Sequence, residues 1–270
     1  KVAVWDVNED GKEELLRQVE ESPGEGLFQN VDVSDADDVN GSMQAVRDLW
    51  GRVDVLVNNA GIVRDAQLVK YKEGAVQSMM SDEAWEAVIG VNLRGVFNCG
   101  RAAARLMVAA GGGAIVNTSS VVALYGNFGQ TNYAAAKAGL VGFMNALKLE
   151  GAKYDVLVNA VAPIAHTRMT EEILGDRADR FDAGSVAPAV AYLASEENRL
   201  SGELWSIGGG SVSRVFTGLC EGYFKHPDRD GPLTIEDVAE HVDDVRIEDG
   251  YIVPVSSRDE FAKLGPMLYS

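Results

Sequence analysis

The chain has 270 residues, of which 46% are hydrophobic and 24% charged, as expected for one large globular domain or two small ones with a substantial core. Its formal net charge of −17 makes nucleic acids and anionic membranes poor partners. The two cysteines, Cys99 and Cys220, follow no metal or redox spacing, and neither a membrane-length apolar run nor a secretory signal is visible. We therefore expect a reducing, cytoplasmic location.

Short apolar runs alternate with helical periodicities along most of the chain. The runs predict strands over residues 2–6, 25–32, 53–58, 114–116, 155–161 and 204–207. The periodicities predict helices over residues 9–20, 35–50 (after an N-cap at Ser34), 82–110, 171–180 and 185–195, and one carrying Tyr133 that ends near Gly151. This rhythm predicts an α/β fold: a Rossmann-like, doubly wound parallel sheet between two helical layers, spanning residues 1–210.

Two stretches stand outside this alternation. Residues 66–81 exceed what a turn requires, and we expect an insertion, a short hairpin near the rim of the site. Residues 211–270 are expected to form a C-terminal extension, packed on the main domain or on a neighbouring subunit. Within it we expect a helix from Thr234 through Val245 and a turn at Asp249-Gly250 into an extended run.

Metal binding is not indicated. His226 and His241 have no ligand spacing to each other or to a carboxylate pair, and the HPDRDG segment lacks the remaining ligands of a calcium loop. We therefore assign no metal site.

Polar side chains stand where several predicted strands end. They are Asp6, Asp32, Asn58, Ser120 and the loop that starts at Pro163. Ligands of parallel sheets bind beyond the carboxyl ends of the strands, so these side chains are expected to face one crevice.

Tyr133 and Lys137 are four residues apart on a predicted helix, which places the phenol and the ammonium on one face. A neighbouring cation lowers the pKa of a phenol and fits it for proton transfer near neutral pH. By itself the pattern equally suits a half-buried tyrosine beside a snorkelling lysine. Ser120, thirteen residues earlier at a strand end, favours the catalytic interpretation, since its hydroxyl could hold a substrate oxygen.

This spacing of serine, tyrosine and lysine resembles the short-chain dehydrogenase/reductase family. The segment Asn58-Asn59-Ala60-Gly61 matches the family's NNAG motif. The resemblance implies an NAD(P)-dependent enzyme that interconverts a secondary alcohol and a ketone. It makes Ser120, Tyr133, Lys137 and Asn92 the catalytic residues, with Asn92 opening its helix and holding a water joined to the lysine. A mid-helix asparagine facing solvent is the alternative.

The same resemblance implies a set of cofactor-binding residues: Asp6, Asp32, Val33, Asn59, Ala60, Gly61, Tyr133, Lys137, Pro163 and Thr167. Asp6 would accept hydrogen bonds from ribose hydroxyls and repel a 2′-phosphate, which favours NAD over NADP. Alternatively, or in addition, Asp6 caps the following helix.

The loop VAPIAHTRMT, which includes Arg168, and the segments NNAGIVRD and LYGNFGQTNYAAAK resemble one branch, the hydroxyacyl-CoA dehydrogenase domain of peroxisomal multifunctional enzymes of type 2. That likeness implies 3-hydroxyacyl thioester substrates such as acyl-CoA. A ketoacyl-thioester reductase and a dehydrogenase of steroids or other bulky alcohols stay open. His166 is either a pocket residue or a packing residue. The family also implies a homo-oligomer, a tetramer or a dimer.

The family's glycine loop, TGxxxGxG after its first strand, has no match in residues 1–270. We expect that strand and loop to belong to sequence outside these residues, because losing the strand would expose the apolar edges of its neighbours. Alternatively the protein lacks them and is a catalytically silent, cofactor-free subunit of an assembly.

Overall fold

The structure, a computed structural model, describes residues 1–167 and 169–269, so Arg168 of the predicted loop motif lies outside the described residues. It divides into two compact units, Lys1–Arg214 and Val215–Ser270. Across the described residues, every helix is too short or too polar to cross a bilayer.

The first unit alternates strands and helices along the chain. Its strands are β1 (Val2–Asp6), β2 (Gly26–Asn30), β3 (Val55–Asn58), β4 (Val69–Lys72), β5 (Ala75–Met79), β6 (Gly113–Thr118), β7 (Val156–Ile164), β8 (Leu204–Gly208) and β9 (Ser211–Val215). Its helices are α1 (Lys12–Glu20), α2 (Ala36–Trp50), α3 (Asp82–Ile89), α4 (Gly95–Ala110), α5 (Val121–Tyr125), α6 (Thr131–Gly151), α7 (Glu171–Leu174) and α8 (Ala187–Ala194).

The larger sheet has the strand order β3-β6-β7-β8-β9 within the described residues. Its pairs β3–β6, β6–β7 and β7–β8 are parallel, as predicted. Neighbouring residues of β6 point to opposite faces. Val116 packs with Leu193 of α8, and Ile115 faces the other way, yet both are fully buried. Helices therefore cover both faces, which confirms the doubly wound, three-layer α/β/α fold.

The predicted long helix over residues 82–110 is interrupted at its middle. Ser81 caps the start of α3 through the amide of Ala84, and α4 ends at Gly111, which adopts a left-handed conformation. Between the two helices, Gly90–Arg94 forms a π-helical turn that contains Asn92. Such turns widen the helix locally and are frequent at functional sites.

The insertion over residues 66–81 is a hairpin, as predicted. Strands β4 and β5 pair antiparallel, and their side chains are exposed. An isolated bridge between Ala66 and Gln130 joins the base of this hairpin to the loop before α6. The base of the hairpin therefore lies beside the segment that leads to Tyr133.

Strands β1 and β2 form a separate parallel pair. In the part of the chain that the structure describes, no strand pairs with the second edge of β1 or with the outer edge of β3. Val2 of β1 is 49% exposed, and Val55 and Val57 of β3 are 40% and 43% exposed. Apolar side chains are therefore partly exposed along both of these edges.

Packing of the loop after β2 joins the small sheet to α4. Asn98 of α4 donates from Nδ2 to the carbonyls of Val33 (3.0 Å) and Ser34 (3.2 Å). Gly95 of the same helix lies against the Val33 side chain, and a β-carbon added at Gly95 would lie only 2.7 Å from Val33 Cγ2. The absence of a side chain at Gly95 therefore allows this close packing.

Several local predictions differ from the structure. The N-cap of α2 is Asp35, whose carboxylate accepts from the amides of Asp37 and Asp38, and not Ser34. Ser34 instead donates its amide and its hydroxyl to Asp32. The expected extended run over residues 251–255 forms only an isolated bridge, between Ile252 and Leu219.

The second unit contains four helices among its described residues, joined by loops and turns. Its helices are α9 (Pro227–Asp230), α10 (Ile235–Glu240), α11 (Val242–Val245) and α12 (Ser257–Leu268). Thr234 caps α10 in a capping box with Asp237, as the sequence indicates, but the predicted helix is broken at His241. Helix α12 was not predicted, although Ser256 and Asp259 also form a capping box at its start.

Two glycine substitutions test the packing of α4 on the loop after β2. Gly95→Ala inserts a methyl group against a stiff valine, and we expect it to lower the free energy of unfolding by roughly 1–2 kcal/mol. Gly142→Ala in α6, where an added β-carbon meets nothing within 4 Å, is the matched control and should raise it by about 0.5–1 kcal/mol. Urea denaturation measures both, and equal gains in stability for the two variants would contradict the close packing.

Candidate active site

The site is built on the end of β6, where the buried strand gives way to polar residues. Lys137 of α6 donates from Nζ to the carbonyl of Thr118 at 2.7 Å, and Ser119 donates from Oγ to the carbonyl of Lys137 at 2.8 Å. These two bonds run in opposite directions between the strand end and one turn of α6. They hold the helix over the end of the strand.

Lys137 is buried, with only 3% of its surface exposed. Burial disfavours the charged form and lowers the pKa of Lys137 to about 8. The ammonium therefore stays mostly protonated at neutral pH and places a positive charge beside the strand end.

Tyr133 lies one helical turn before Lys137 and is half-buried. The Nζ atom of Lys137 is 5.7 Å from the centre of the phenol ring. Burial raises the pKa of Tyr133. The hydrogen bond from the Ser120 hydroxyl lowers this pKa by a smaller amount, and the nearby Asp65 carboxylate raises it further. The prediction of a lowered pKa is therefore wrong for this structure, because the desolvation of the phenolate outweighs its stabilisation.

Ser120 begins the short helix α5. Its Oγ accepts from the amide of Val122, which fixes the side chain, and the residue is 8% exposed. The structure thus brings Ser120, Tyr133 and Lys137 together, with the serine and tyrosine in direct contact. This is the arrangement that the sequence spacing predicts.

Asn92 lies in the π-helical turn and is fully buried. Its Nδ2 donates to the carbonyls of Ile62 (2.8 Å) and Val88 (3.0 Å), whereas its Oδ1 has no hydrogen-bond partner among the described residues. A β-carbon added at Gly61 would lie 2.7 Å from that Oδ1 and 3.4 Å from Lys137 Nζ. Asn92 therefore does not face solvent, and its orphan oxygen and the lysine ammonium both lie next to Gly61.

The end of β1 carries Asp6, which is exposed. One carboxylate oxygen of Asp6 accepts from the amide of Asn8 at 2.9 Å, while α1 begins after Gly11. Asp6 is thus not the helix cap that the sequence left open. Its carbonyl accepts from the amide of Val31, which links the ends of β1 and β2.

Asp32 and Val33 follow β2. Asp32 Oδ1 accepts from the amide and the hydroxyl of Ser34, at 2.8 and 2.7 Å. The amide of Asp32 donates to Asp38 of α2 at 2.8 Å. The loop that holds both predicted adenine contacts is therefore fixed from two helices, α2 through Asp38 and α4 through Asn98.

The NNAG segment ends β3 beside β6. Asn58 is buried and donates to Asn117 Oδ1 at 2.9 Å, whereas Asn59 and Ala60 are exposed. Asn59 Oδ1 accepts from the Thr118 hydroxyl at 3.3 Å. Asn59 and Ala60 are thus accessible next to the strand end that holds Lys137.

The remaining predicted contacts lie on and after β7. Pro163 belongs to the strand, and Thr167 lies in the exposed loop beyond it, where its amide donates to Thr170 Oγ1 at 2.9 Å. His166 is exposed and its amide donates to the Phe181 carbonyl. Among the described residues, no hydrogen bond joins these three residues to the Tyr133 phenol.

Sequence reasoning missed three residues around Tyr133. Asn132 is fully buried, Gln130 is 6% exposed, and Asp65 accepts from Gln130 Nε2 at 2.8 Å. Their signal was present, because Asp65 lies within the segment NNAGIVRD, and Gln130 and Asn132 lie within LYGNFGQTNYAAAK. Their roles depend on which loops meet in space, which spacing does not reveal.

A nicotinamide dinucleotide fits part of this site. Asn92 Oδ1 has no hydrogen-bond partner among the described residues, and Gly61 brings no side chain into the space beside that oxygen and the buried Lys137 ammonium, as a nicotinamide-ribose site requires. Asp6 presents a carboxylate where a ribose is expected. Residues 1–270 contain no glycine-rich loop that would bind the pyrophosphate.

Comparisons with known proteins agree with this geometry. A family model described as short chain dehydrogenase matches residues 1–178. The 3-oxoacyl-(acyl-carrier-protein) reductase FabG of Thermotoga maritima is 40% identical over 224 residues, which cover 78% of this chain and 87% of that protein. The peroxisomal hydratase-dehydrogenase-epimerase of Saccharomyces cerevisiae is 40% identical over 201 residues, which cover 72% of this chain.

A solved structure gives the same result. The full-length peroxisomal multifunctional enzyme type 2 of Drosophila melanogaster superposes with a TM-score of 0.79 and 28% identity, over 99% of this chain and 44% of that one. The chain spans only 21% of the yeast protein. These larger relatives therefore contain much that the present residues do not.

The buried lysine makes a prediction about pH. The unfolded chain binds more protons than the folded one between about pH 8 and the ordinary lysine pKa near 10.4, so the contribution of Lys137 to stability rises with pH through that window. Relative to Lys137→Met, the wild type should gain on the order of 3 kcal/mol in its free energy of unfolding across this pH window. Urea denaturation at several pH values measures this difference, and a difference independent of pH would contradict the burial.

Proposed function

The chain belongs to the short-chain dehydrogenase family, and from that premise we propose that it is an NAD-dependent oxidoreductase interconverting 3-hydroxyacyl and 3-ketoacyl thioesters. One observation carries the proposal: the Ser120 hydroxyl contacts the Tyr133 phenol beside the buried Lys137 ammonium. A proton donor, a group that orients the reacting oxygen and a fixed positive charge thus share one strand end.

In the direction of reduction, Tyr133 donates its proton to the carbonyl oxygen of the substrate. Its raised pKa keeps the phenol protonated at neutral pH, which suits a general acid. Ser120 holds the substrate oxygen toward the phenol, and Lys137 stabilises the phenolate that is left. In oxidation the same groups act in reverse, and Tyr133 accepts the proton of the alcohol.

Asn92 completes the proton path. Its unpaired Oδ1 lies beside Gly61 and near the lysine ammonium. A buried acceptor of this kind is normally satisfied by an ordered water. We assign to that water the return of a proton through Lys137 to the Tyr133 phenolate.

The cofactor, when bound, supplies or accepts the hydride at the substrate carbon. Lys137 and Tyr133 are the residues that would hold its nicotinamide ribose, with Asn59, Ala60 and Gly61 bordering it. Pro163 and Thr167 are assigned to the carboxamide, and Asp32 and Val33 to the adenine. The exposed carboxylate of Asp6 supports NAD rather than NADP, because it would repel a 2′-phosphate.

The substrate class rests on the relatives. One is named as an oxoacyl-(acyl-carrier-protein) reductase and another as a hydratase-dehydrogenase-epimerase. Acyl-CoA is our first choice of thioester, and a ketoacyl-carrier-protein reductase is the second. We also propose a homo-oligomer, either a tetramer or a dimer, as the family resemblance implies, and a cytoplasmic location, as the sequence suggests. Two of the relatives are named as peroxisomal.

The rival function is a catalytically silent, cofactor-free subunit of an assembly. Calorimetric titration of the complete, folded protein with NADH separates the two functions. Saturable binding supports the enzyme, and no binding supports the silent subunit.

Tyr133→Phe is the direct test of the catalytic proposal. Loss of the phenolic proton should lower kcat for reduction of acetoacetyl-CoA by about 10²–10⁴-fold, with either NADH or NADPH as reductant. Tyr154→Phe, which alters an exposed tyrosine after α6, is the matched control and should leave kcat unchanged. Undiminished turnover by Tyr133→Phe would refute the assigned chemistry.

A further inference from the structure

Asn132, the residue immediately before Tyr133, has no part in the proposed chemistry, yet both polar atoms of its side chain are hydrogen-bonded. Asn132 is completely buried. Its Nδ2 donates to the carbonyls of Arg64 (3.0 Å) and Ala84 (3.3 Å), and its Oδ1 accepts from the amide of Tyr133 (2.8 Å). Because the Asn132 side chain has no exposed surface, these bonds satisfy its polar atoms in place of water.

These contacts join three elements. Arg64 lies in the loop that follows β3, Ala84 lies in the first turn of α3, and Tyr133 lies in the first turn of α6. Amides in the first turn of a helix have no partner within the helix. Asn132 supplies that partner to the residue whose phenol is the proposed proton donor.

The loop after β3 is held by further side-chain amides. Asn92 Nδ2 binds the carbonyl of Ile62 at 2.8 Å, and Gln130 Nε2 binds the carboxylate of Asp65 at 2.8 Å. The amide of Ala66 donates to the carbonyl of Gly129 at 2.9 Å. Asn132 therefore belongs to a row of contacts that fixes this loop, and with it the NNAG segment at its start, against the beginning of α6.

We propose that Asn132 is a positioning residue, which holds the backbone of Tyr133 at a fixed place relative to the loop after β3. Through this contact it keeps the phenol aligned with Ser120 and with the cofactor-facing NNAG segment. The inference rests on the proposed function, because it takes Tyr133 as the proton donor. It goes beyond that function by assigning the alignment to a residue that touches neither substrate nor cofactor.

The expected effect is on turnover and not on binding. Displacement of a reacting group by about 1 Å can cost on the order of 100-fold in rate. Asn132→Ala leaves the Tyr133 amide and two carbonyls without their partner, so kcat should fall about 10- to 100-fold while the KM values for NADH and acetoacetyl-CoA stay within about threefold.

Asn198→Ala is a matched control. Asn198 is also fully buried, its Nδ2 donates to the carbonyls of Leu193 (2.9 Å) and Leu200 (3.2 Å), and its Oδ1 accepts from the amide of Leu200 (2.8 Å). The two variants therefore lose the same kinds of bond from equally buried positions. Of the two asparagines, only Asn132 lies in the helix that carries Tyr133.

The experiment measures kcat, KM and the hydrogen exchange of the Tyr133 amide in the complete protein. In Asn132→Ala the exchange should quicken at least tenfold, and kcat should fall at least tenfold below that of Asn198→Ala. Asn132→Asp, which keeps the volume and the accepting oxygen but cannot donate to Arg64 and Ala84, serves if the alanine variant does not fold. It should also lose at least tenfold in kcat.

Equal losses of kcat in the Asn132 and Asn198 variants would overturn the inference, since they would indicate a purely structural role. Unchanged exchange of the Tyr133 amide in Asn132→Ala would overturn it as well. A wild-type protein that turns over no substrate would instead refute the proposed function, and the amide exchange would still decide whether Asn132 positions Tyr133.

Discussion

The site depends on one buried ammonium at the end of a parallel strand. Lys137 donates to the carbonyl of Thr118, and Ser119 returns a bond to the carbonyl of Lys137. This reciprocal pair fixes α6 over β6, and the helix in turn places Tyr133 against Ser120. The cost of burying the charge appears in the lowered pKa of the lysine, so the same contact that builds the site also adjusts its electrostatics.

Buried asparagines connect this strand end to the surrounding loops. Asn92 and Asn132 both donate to carbonyls of the loop after β3, and Asn98 donates to the loop after β2. Loops carry many backbone groups without partners, and a side-chain amide satisfies them from a rigid helix. The helices α4 and α6 thus hold the loops where a cofactor is expected, while the loops supply the residues that would contact it.

Much of this arrangement was predictable from local sequence. The alternation of strands and helices gave the doubly wound fold, because helical and strand periods are fixed. The proposed catalytic roles of Ser120, Tyr133 and Lys137 came instead from the resemblance of their spacing to the short-chain dehydrogenase family. The raised pKa of Tyr133 was not predictable, since desolvation depends on the packing around the phenol. The role of Asn132 was hidden for a similar reason: its partners Arg64 and Ala84 are distant in sequence and meet it only in the fold.

In the proposed reaction, a proton from Tyr133 and a hydride pass to one carbonyl group in the same turnover. Single-turnover reduction of acetoacetyl-CoA, with NADH carrying deuterium in the transferred position and in H₂O or D₂O, tests it most directly. The rate should slow with deuterium on the cofactor and again in D₂O, because the phenol of Tyr133 supplies the transferred proton. A rate unaffected by either substitution, or no reduction at all by a protein that binds both ligands, would contradict it.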